Sequence, residues 1–387
     1  MENIIIGCLL AFVIGFYAMP IIILVSNQKK LFDLPGHRKV HTSPIPSLGG
    51  LGIFVGFMMG LLLTLDINTV ANELQYFLAA FSIVFFFGIK DDILNLVPMK
   101  KFMGQIAVAV ILIFKANLII TNMHGFLGLL VVHPTISYIL TAFTIIVTMN
   151  AYNLIDGVDG LAGTIGIITS SVFATFFYIN GDMFYALMGF TFSASLLAFL
   201  IYNYSPARIF MGDTGSMLAG LINAMFAIRF IGTSTDVKVF PILAAPAMAF
   251  GILLMPLADT LRVFAIRMSH GRSPFMPDRN HLHHLLLDRG LNHMQVTITI
   301  SVTAIIMIVL TYFALPLGAT AVIALQVAIF FSGIFILGRI KTTEQKLAIL
   351  KNSDLDGNEI SSDNKVYSLV SFVTRTKKTI NREEEQN

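Results

Sequence analysis

This chain has little charge. Only 12% of its 387 residues are Asp, Glu, Lys or Arg, against roughly 25% in an ordinary soluble domain. With 56% apolar residues and a mean hydropathy of +0.80, that scarcity excludes a soluble enzyme and a disordered chain. Cysteine is nearly absent too: Cys8 stands alone in an uncharged run, so no disulfide framework or multi-cysteine zinc site is available. A formal net charge of +3 is too small to make nucleic acid a partner. What the chain does have is long apolar runs. The solvent to reason with is the lipid bilayer, where a span needs about 20 mostly apolar residues.

Charged and turn-forming residues divide these runs into about eleven transmembrane helices, near 3–25, 48–65, 74–89, 102–120, 134–152, 161–179, 184–204, 214–231, 239–258, 296–315 and 318–338. The expected fold is all-α, a polytopic integral membrane protein. Its transmembrane domain covers 1–340, and a polar cytoplasmic tail over 341–387 ends in Glu383-Glu384-Glu385 and reads as a solvated extension. The first run is read as a retained span, because its first charge is Glu2, it is long, and no small-residue cleavage site follows. No internal repeat suggests a duplicated transporter.

Loop parity orients the bundle. The odd-numbered loops and the tail carry 22 of the 25 Lys and Arg residues, whereas the other side has Lys115, Arg229 and Lys238. By the positive-inside rule the odd loops and the C-terminus face the cytoplasm and the N-terminus faces out.

Carboxylates at span ends are costly unless paired, hydrated or metal-bound, so they are functional candidates. Asp91 and Asp92 follow the apolar run Leu74–Ile89, Asp156 and Asp159 lie between spans five and six, and Asp213 opens span eight. All five fall on the cytoplasmic side. Asn150, Asn153, Asp156 and Asp159 recur every three residues, as do Gly157, Gly160 and Gly163. If helical, that spacing lines four polar groups along one ridge; the other reading is a Gly/Asn/Asp turn. Asp213 in Gly-Asp-Thr-Gly also reads as a helix N-cap. Oxygen ligands without cysteine suit Mg²⁺ or Mn²⁺, which takes one or two carboxylates plus substrate phosphates.

The longest interior loop is basic, with His270, Arg272, Arg279, His281, His283 and His284. Such side chains can clamp phosphate oxygens. Zinc is the rival, disfavoured because adjacent His283 and His284 project about 100° apart on a helix. An acidic metal site and a basic cluster at one membrane face fit a diphosphate substrate. The loop with Lys29, Lys30, Arg38, Lys39 and His41 either adds phosphate contacts or only holds orientation.

Asp91-Asp92, the single stretch from Asn150 through Asn153 to Asp156-Gly-Val-Asp159-Gly, Phe210-Met-Gly-Asp213 and Pro277-Asp-Arg-Asn-His281-Leu-His-His284 together resemble, in order, the four motifs of the polyprenyl-phosphate N-acetylhexosamine-1-phosphate transferases, the superfamily containing MraY, WecA and TagO. The resemblance runs from about residue 28 to 295. The histidine motif is closer to the WecA/TagO branch than to MraY, whose loop carries three consecutive histidines. Asn95 stands where the first motif often has a third Asp.

The resemblance implies a Mg²⁺-dependent transfer of a sugar 1-phosphate, most simply GlcNAc 1-phosphate, from a UDP-N-acetylhexosamine to undecaprenyl phosphate. UMP is the other product, and the setting is the cytoplasmic face of a bacterial inner membrane. By that analogy Asp213 and Asn153 hold the metal. Asp91 and Asp92 lie near the lipid phosphate, one accepting its proton or positioning it, and Lys100 or Lys101 holds that phosphate. Asp156 and Asp159 shape the nucleotide and metal site, Asn150 joins the substrate contacts, and Arg279, His281, His283 and His284 bind the diphosphate, with His281 counted as catalytic. A homodimer is compatible with this plan. A secondary transporter is the alternative from another class, and another membrane phosphotransferase is the second enzyme reading; the Ala-Arg that follows Asp-Gly in the CDP-alcohol phosphotransferases is absent after Asp156-Gly157 and Asp159-Gly160.

Overall fold

The computed structural model describes residues 1–33, 45–66, 73–94, 96–234, 237, 239–271 and 280–339. Arg38, Lys39, His41, Asn95, Arg272, Arg279 and the tail at 341–387 lie outside the described residues. The helices are α1 (Glu2–Lys29), α2 (Gly49–Thr64), α3 (Leu74–Leu94), α4 (Pro98–Phe114), α5 (Pro134–Ile155), α6 (Leu161–Ile179), α7 (Met183–Asn203), α8 (Gly212–Thr233), α9 (Ala245–Ile252), α10 (Leu254–Ser269), α11 (Leu282–Leu287), α12 (His293–Ala314) and α13 (Ala319–Arg339). Two short antiparallel pairs interrupt them, β1 (Phe32–Asp33) with β2 (Ile45–Pro46) and β3 (Asn122–Phe126) with β4 (Leu129–Val131). Proline opens α4 and α5, where its missing N–H would have no helical partner anyway.

A helix lies at each of the eleven expected places. Among the described residues, seven helices are long and apolar enough to cross a membrane, or eight with one bent pair counted as a single span. The protein is an all-α, multi-pass membrane protein.

The expected ninth span, 239–258, is not one rod. It is α9 and α10, bent by 83° at Leu253. The cause is local: Pro256 has no N–H to offer the Ile252 carbonyl four residues back, and its ring crowds that carbonyl, so the helix ends there and restarts. The expected connecting loop from 259 is therefore helical as far as Ser269.

The bundle is built around α8. In its apolar window 89% of the residues are buried, against 22% in α1 and 17% in α13, which leave most of their apolar surface exposed. Helices α2, α3, α5 and α6 pack on α8. Polar links reinforce the interior: Tyr152 and Thr169 share a hydrogen bond at 2.6 Å, and Asn223 donates to Ser170 Oγ at 3.2 Å. Links of this kind contribute roughly 0.6–2 kcal/mol in a membrane. At the other end of α8, His124 of β3 meets the Ile231 carbonyl at 2.7 Å.

One contact sets where the acidic pair of α3 lands. A Cβ at Gly88 would stand 2.4 Å from the Thr214 Cα, so the α3 and α8 backbones touch there. Asp91 and Asp92 follow three and four residues later, on the same face. Gly88→Ala is expected to push the two helices apart at about 1–3 kcal/mol, read as a lower thermal midpoint in detergent together with reduced activity. An unchanged midpoint would show that this contact does not position α3.

Candidate active site

Helix α8 starts at Gly212, so the first N–H groups of its opening turn need partners from outside the helix. Asp92 supplies them from α3. Its Oδ1 accepts from the Asp213 N–H at 2.6 Å, and its Oδ2 accepts from the Thr214 N–H at 3.1 Å and the Thr214 hydroxyl at 2.5 Å. A carboxylate at a helix N-terminus also gains from the helix dipole. Asp92 is thus a cap delivered by another helix, with both oxygens engaged in holding the turn that carries Asp213.

Asp91, only 5% exposed, accepts from the Leu96 N–H and pairs with the Lys101 ammonium. Lys101 also pairs with Asp213, so one ammonium bridges two carboxylates contributed by α3 and α8. From α5, Asn153 donates to Asp213 Oδ1 at 2.7 Å and to Ser216 Oγ at 3.1 Å. The sequence offered Lys100 or Lys101; Lys101 is in this cluster and Lys100 is exposed.

The ridge expected from the three-residue spacing is only half formed. Asn150 and Asn153 are on α5, but the helix ends at Ile155 and residues 156–160 form a turn closed by Gly160 at φ +78°. That left-handed φ suits glycine, which stands at the N-cap of α6. The four polar side chains therefore serve different places. Asn150 donates to Gln105 of α4 at 2.9 Å and to the Ile146 carbonyl at 2.7 Å, tying two helices together. Asp159, 4% exposed, pairs with His293 of α12 at 3.2 Å and accepts from the Ala207 N–H at 3.3 Å, while its carbonyl accepts from Thr297 at 2.8 Å. It fastens the turn to α12. Asp156 stays on the side of the cluster: burial, reinforced by the charges of Asp213, Asp92 and Asp159, pushes its carboxyl up to about 8.

The histidine segment joins the same turn. A Cβ at Gly157 would lie 2.4 Å from His283 Nε2, so the ring rests on the glycine backbone. His283 is 2% exposed, its ring is stacked parallel to His281 at 5.6 Å, and its Nδ1 has no hydrogen-bond partner among the described residues. Burial, with neighbouring His284 and His281, holds it down to about 3, so the ring is neutral in the physiological range. His284 lies 4.4 Å from His283, ring to ring. His281 is buried against Asp259 of α10 at 2.9 Å.

Sequence reasoning missed Asp259, Arg262, Arg267 and Gln105. The first three were legible in principle as Asp-Thr-Leu-Arg262 and Arg267 directly after an apolar run, but ending the ninth span at 258 consigned them to a loop. Arg279 lies outside the described residues.

The arrangement joins carboxylates, an amide, an ammonium and imidazoles at the ends of α3, α4, α5, α8 and α11, all within a bundle of apolar helices. Comparison with known proteins gives the family. The family described as glycosyl transferase family 4 matches residues 74–231, which take in the Asp91–Asp92, Asn153, Asp156–Asp159 and Asp213 segments. A decaprenyl-phosphate N-acetylglucosaminephosphotransferase of Mycobacterium leprae (strain TN) is 31% identical over 313 residues, 76% of this chain and 79% of that protein. A probable undecaprenyl-phosphate N-acetylglucosaminyl 1-phosphate transferase of Bacillus subtilis (strain 168) is 33% identical, over 71% of this chain and 74% of its own. An undecaprenyl-phosphate alpha-N-acetylglucosaminyl 1-phosphate transferase of Yersinia pestis is 30% identical, over 71% and 74%. With these motifs on these helices, the chain belongs to glycosyl transferase family 4, within the superfamily of MraY and WecA.

Proposed function

We propose that the protein transfers N-acetylhexosamine 1-phosphate, GlcNAc 1-phosphate in the first instance, from a UDP-sugar to undecaprenyl phosphate, as the first membrane step of a cell-envelope polysaccharide pathway. In the reaction an oxygen of the lipid phosphate attacks the phosphorus attached to the sugar. The bond from that phosphorus to UMP breaks, and UMP leaves with the electron pair. The observation that carries this reading is the Asp91–Lys101–Asp213–Asn153 cluster, a cation held between carboxylates at a helix N-terminus, taken with the substrates in the relatives' names.

The cluster suits each part of that chemistry. Asp213 and Asn153 would hold a Mg²⁺. They fit such an ion: both offer hard oxygen donors, they already meet at 2.7 Å, and the Asn153 amide turned over presents its oxygen. Among the described residues no group of three or more His, Cys, Asp or Glu forms a preformed cage, as with Mg²⁺ sites completed by water and substrate phosphate. When bound, the ion would supply positive charge to the donor's bridging oxygens.

Lys101 is suited to hold the acceptor phosphate. From it α4 runs into the bundle beside an apolar groove shared with α5 and lined by Ile106, Val110, Ile113, Tyr138, Ile139 and Ile146, which matches an isoprenoid tail leading away from a charged head. His281, His283 and His284 would meet the diphosphate. Asp91 and Asp92 already accept hydrogen bonds or ion pairs on both oxygens, so direct attack by the lipid phosphate, which is largely ionised near neutral pH, is favoured over a covalent aspartyl intermediate. The reading has eleven crossings, the site at the cytoplasmic face and the N-terminus outside. It rests on the charge bias of the loops.

The test is incubation of purified protein with undecaprenyl phosphate, Mg²⁺ and a panel of radiolabelled UDP-sugars. Label should move into the organic phase with one UMP released per transfer, and His281→Ala should slow it by roughly 10²-fold. Accumulation of a solute by proteoliposomes without UMP release would favour a transporter instead.

A further inference from the structure

Asp259 belongs to none of the four motifs, yet three donors converge on it. It sits on α10, 4% exposed. Its Oδ2 meets His281 Nδ1 at 2.9 Å, and its Oδ1 accepts the Leu282 N–H and a guanidinium nitrogen of Arg262, both at 3.0 Å. The same guanidinium nitrogen donates to the carbonyl of Asn280, the residue before His281. On the far edge of the imidazole, Nε2 lies 3.5 Å from a guanidinium nitrogen of buried Arg267, also on α10.

These partners select one tautomer. A neutral imidazole has one N–H and one lone pair. With a carboxylate at Nδ1 and a guanidinium at Nε2, the form protonated on Nδ1 matches both neighbours. The other form would turn a lone pair onto the carboxylate and an N–H onto the guanidinium. We infer that Asp259 is the positioning residue of the histidine segment: it holds His281 as the Nδ1–H tautomer with the Nε2 lone pair facing Arg267, and pins the start of α11, which carries His283 and His284. The catalytic consequence rests on the functional reading above, in which this segment meets the donor's diphosphate.

The chemistry requires a carboxylate, because acceptors are needed at both oxygens. An amide has one. In Asp259→Asn, either His281 or the Arg262/Leu282 pair must face an N–H₂ group, donor to donor. Loss of an orienting partner of this kind costs roughly tenfold to a hundredfold in turnover. Asp259→Glu keeps both acceptors and should recover a measurable part of that loss.

The experiment has two arms. First, ¹⁵N NMR of the imidazoles in the intact protein in lipid nanodiscs, with His281 assigned from the signal missing in His281→Gln, reports the tautomer without any assay of activity. The expected wild-type signal is a protonated Nδ1 and a bare Nε2, shifting in Asp259→Asn; a wild-type ring protonated on Nε2 alone overturns the inference even if that variant does not fold. Second, Asp259→Asn should lower kcat by the stated factor in wild type and by a clearly smaller factor in a His281→Ala background, where only its hold on the Leu282 N–H at the start of α11 is left to lose. Equal losses in both backgrounds would reduce Asp259 to general support. If the wild type transfers no sugar phosphate at all, the functional reading fails while the tautomer arm still decides on Asp259.

Discussion

Asp213→Ala is expected to lower sugar-phosphate transfer by roughly 10³-fold or more, because charge stabilisation by the Mg²⁺ proposed at Asp213 would be worth several kcal/mol. It should do so without unfolding the bundle. The reason is in how Asp92 caps α8: it accepts the backbone N–H of residue 213, not its side chain, so alanine keeps the cap and removes only the carboxylate that meets Lys101 and Asn153. Two measurements separate these roles. On the proposed function, transfer of label to lipid should vanish, and Mg²⁺, expected to raise the thermal midpoint of the wild type by preferential binding to the folded state, should no longer raise that of the variant. A variant with near-normal turnover, or one still stabilised by Mg²⁺ as the wild type is, would remove Asp213 from the metal site.

Lys101→Met is the second large effect, and its neighbour is the control. Lys101 bridges Asp91 and Asp213, whereas Lys100 is exposed. Methionine preserves the length and apolar stem of the side chain but leaves two carboxylates facing each other without their ammonium. Hydrogen bonds to charged groups contribute about 1.5–3 kcal/mol each, so transfer should fall roughly 10²-fold. On the proposed function the fall includes a raised KM for undecaprenyl phosphate. Lys100→Met should stay within about twofold, the usual result for an exposed charge. If both variants lose the same activity, the two lysines act through the net charge of the loop and not through this cluster.

How much of this was legible beforehand depends on the range of the interaction. Helix positions followed from apolar runs set by single residues and their neighbours, and a helix lies in each expected place. Pro256 was equally visible, but its effect was not drawn, because a span was defined by hydropathy and proline barely alters hydropathy; what it alters is the Ile252 hydrogen bond. The periodic Asn150, Asn153, Asp156 and Asp159 misled for a related reason. Spacing describes a ridge only while the helix lasts, and Gly160 at φ +78° lies in a turn that ends it.

The Asp91-Asp92 pair shows the limit most clearly. Adjacent in sequence and alike in chemistry, the two face different partners, one a lysine on α4 and the other the first turn of α8. Adjacent helical residues diverge by about 100°, so even on the side of α3 that meets α8 the packing decides which partner each one reaches. Asp259 makes the same point in reverse: a lone aspartate beside a span end carries no motif, and only the folding of Asn280–Leu282 back onto α10 gives it three donors.

By itself, then, the sequence determined the bilayer as solvent, the helical class and the gathering of acidic and basic motifs. These follow from composition and short-range pattern, which a chain carries without folding. Only the tertiary structure decided which lysine bridges the carboxylates, which aspartate caps α8, where the ninth span breaks and what holds His281. Each of these depends on side chains distant in sequence meeting within hydrogen-bond reach, a matter of helix packing that no local pattern encodes.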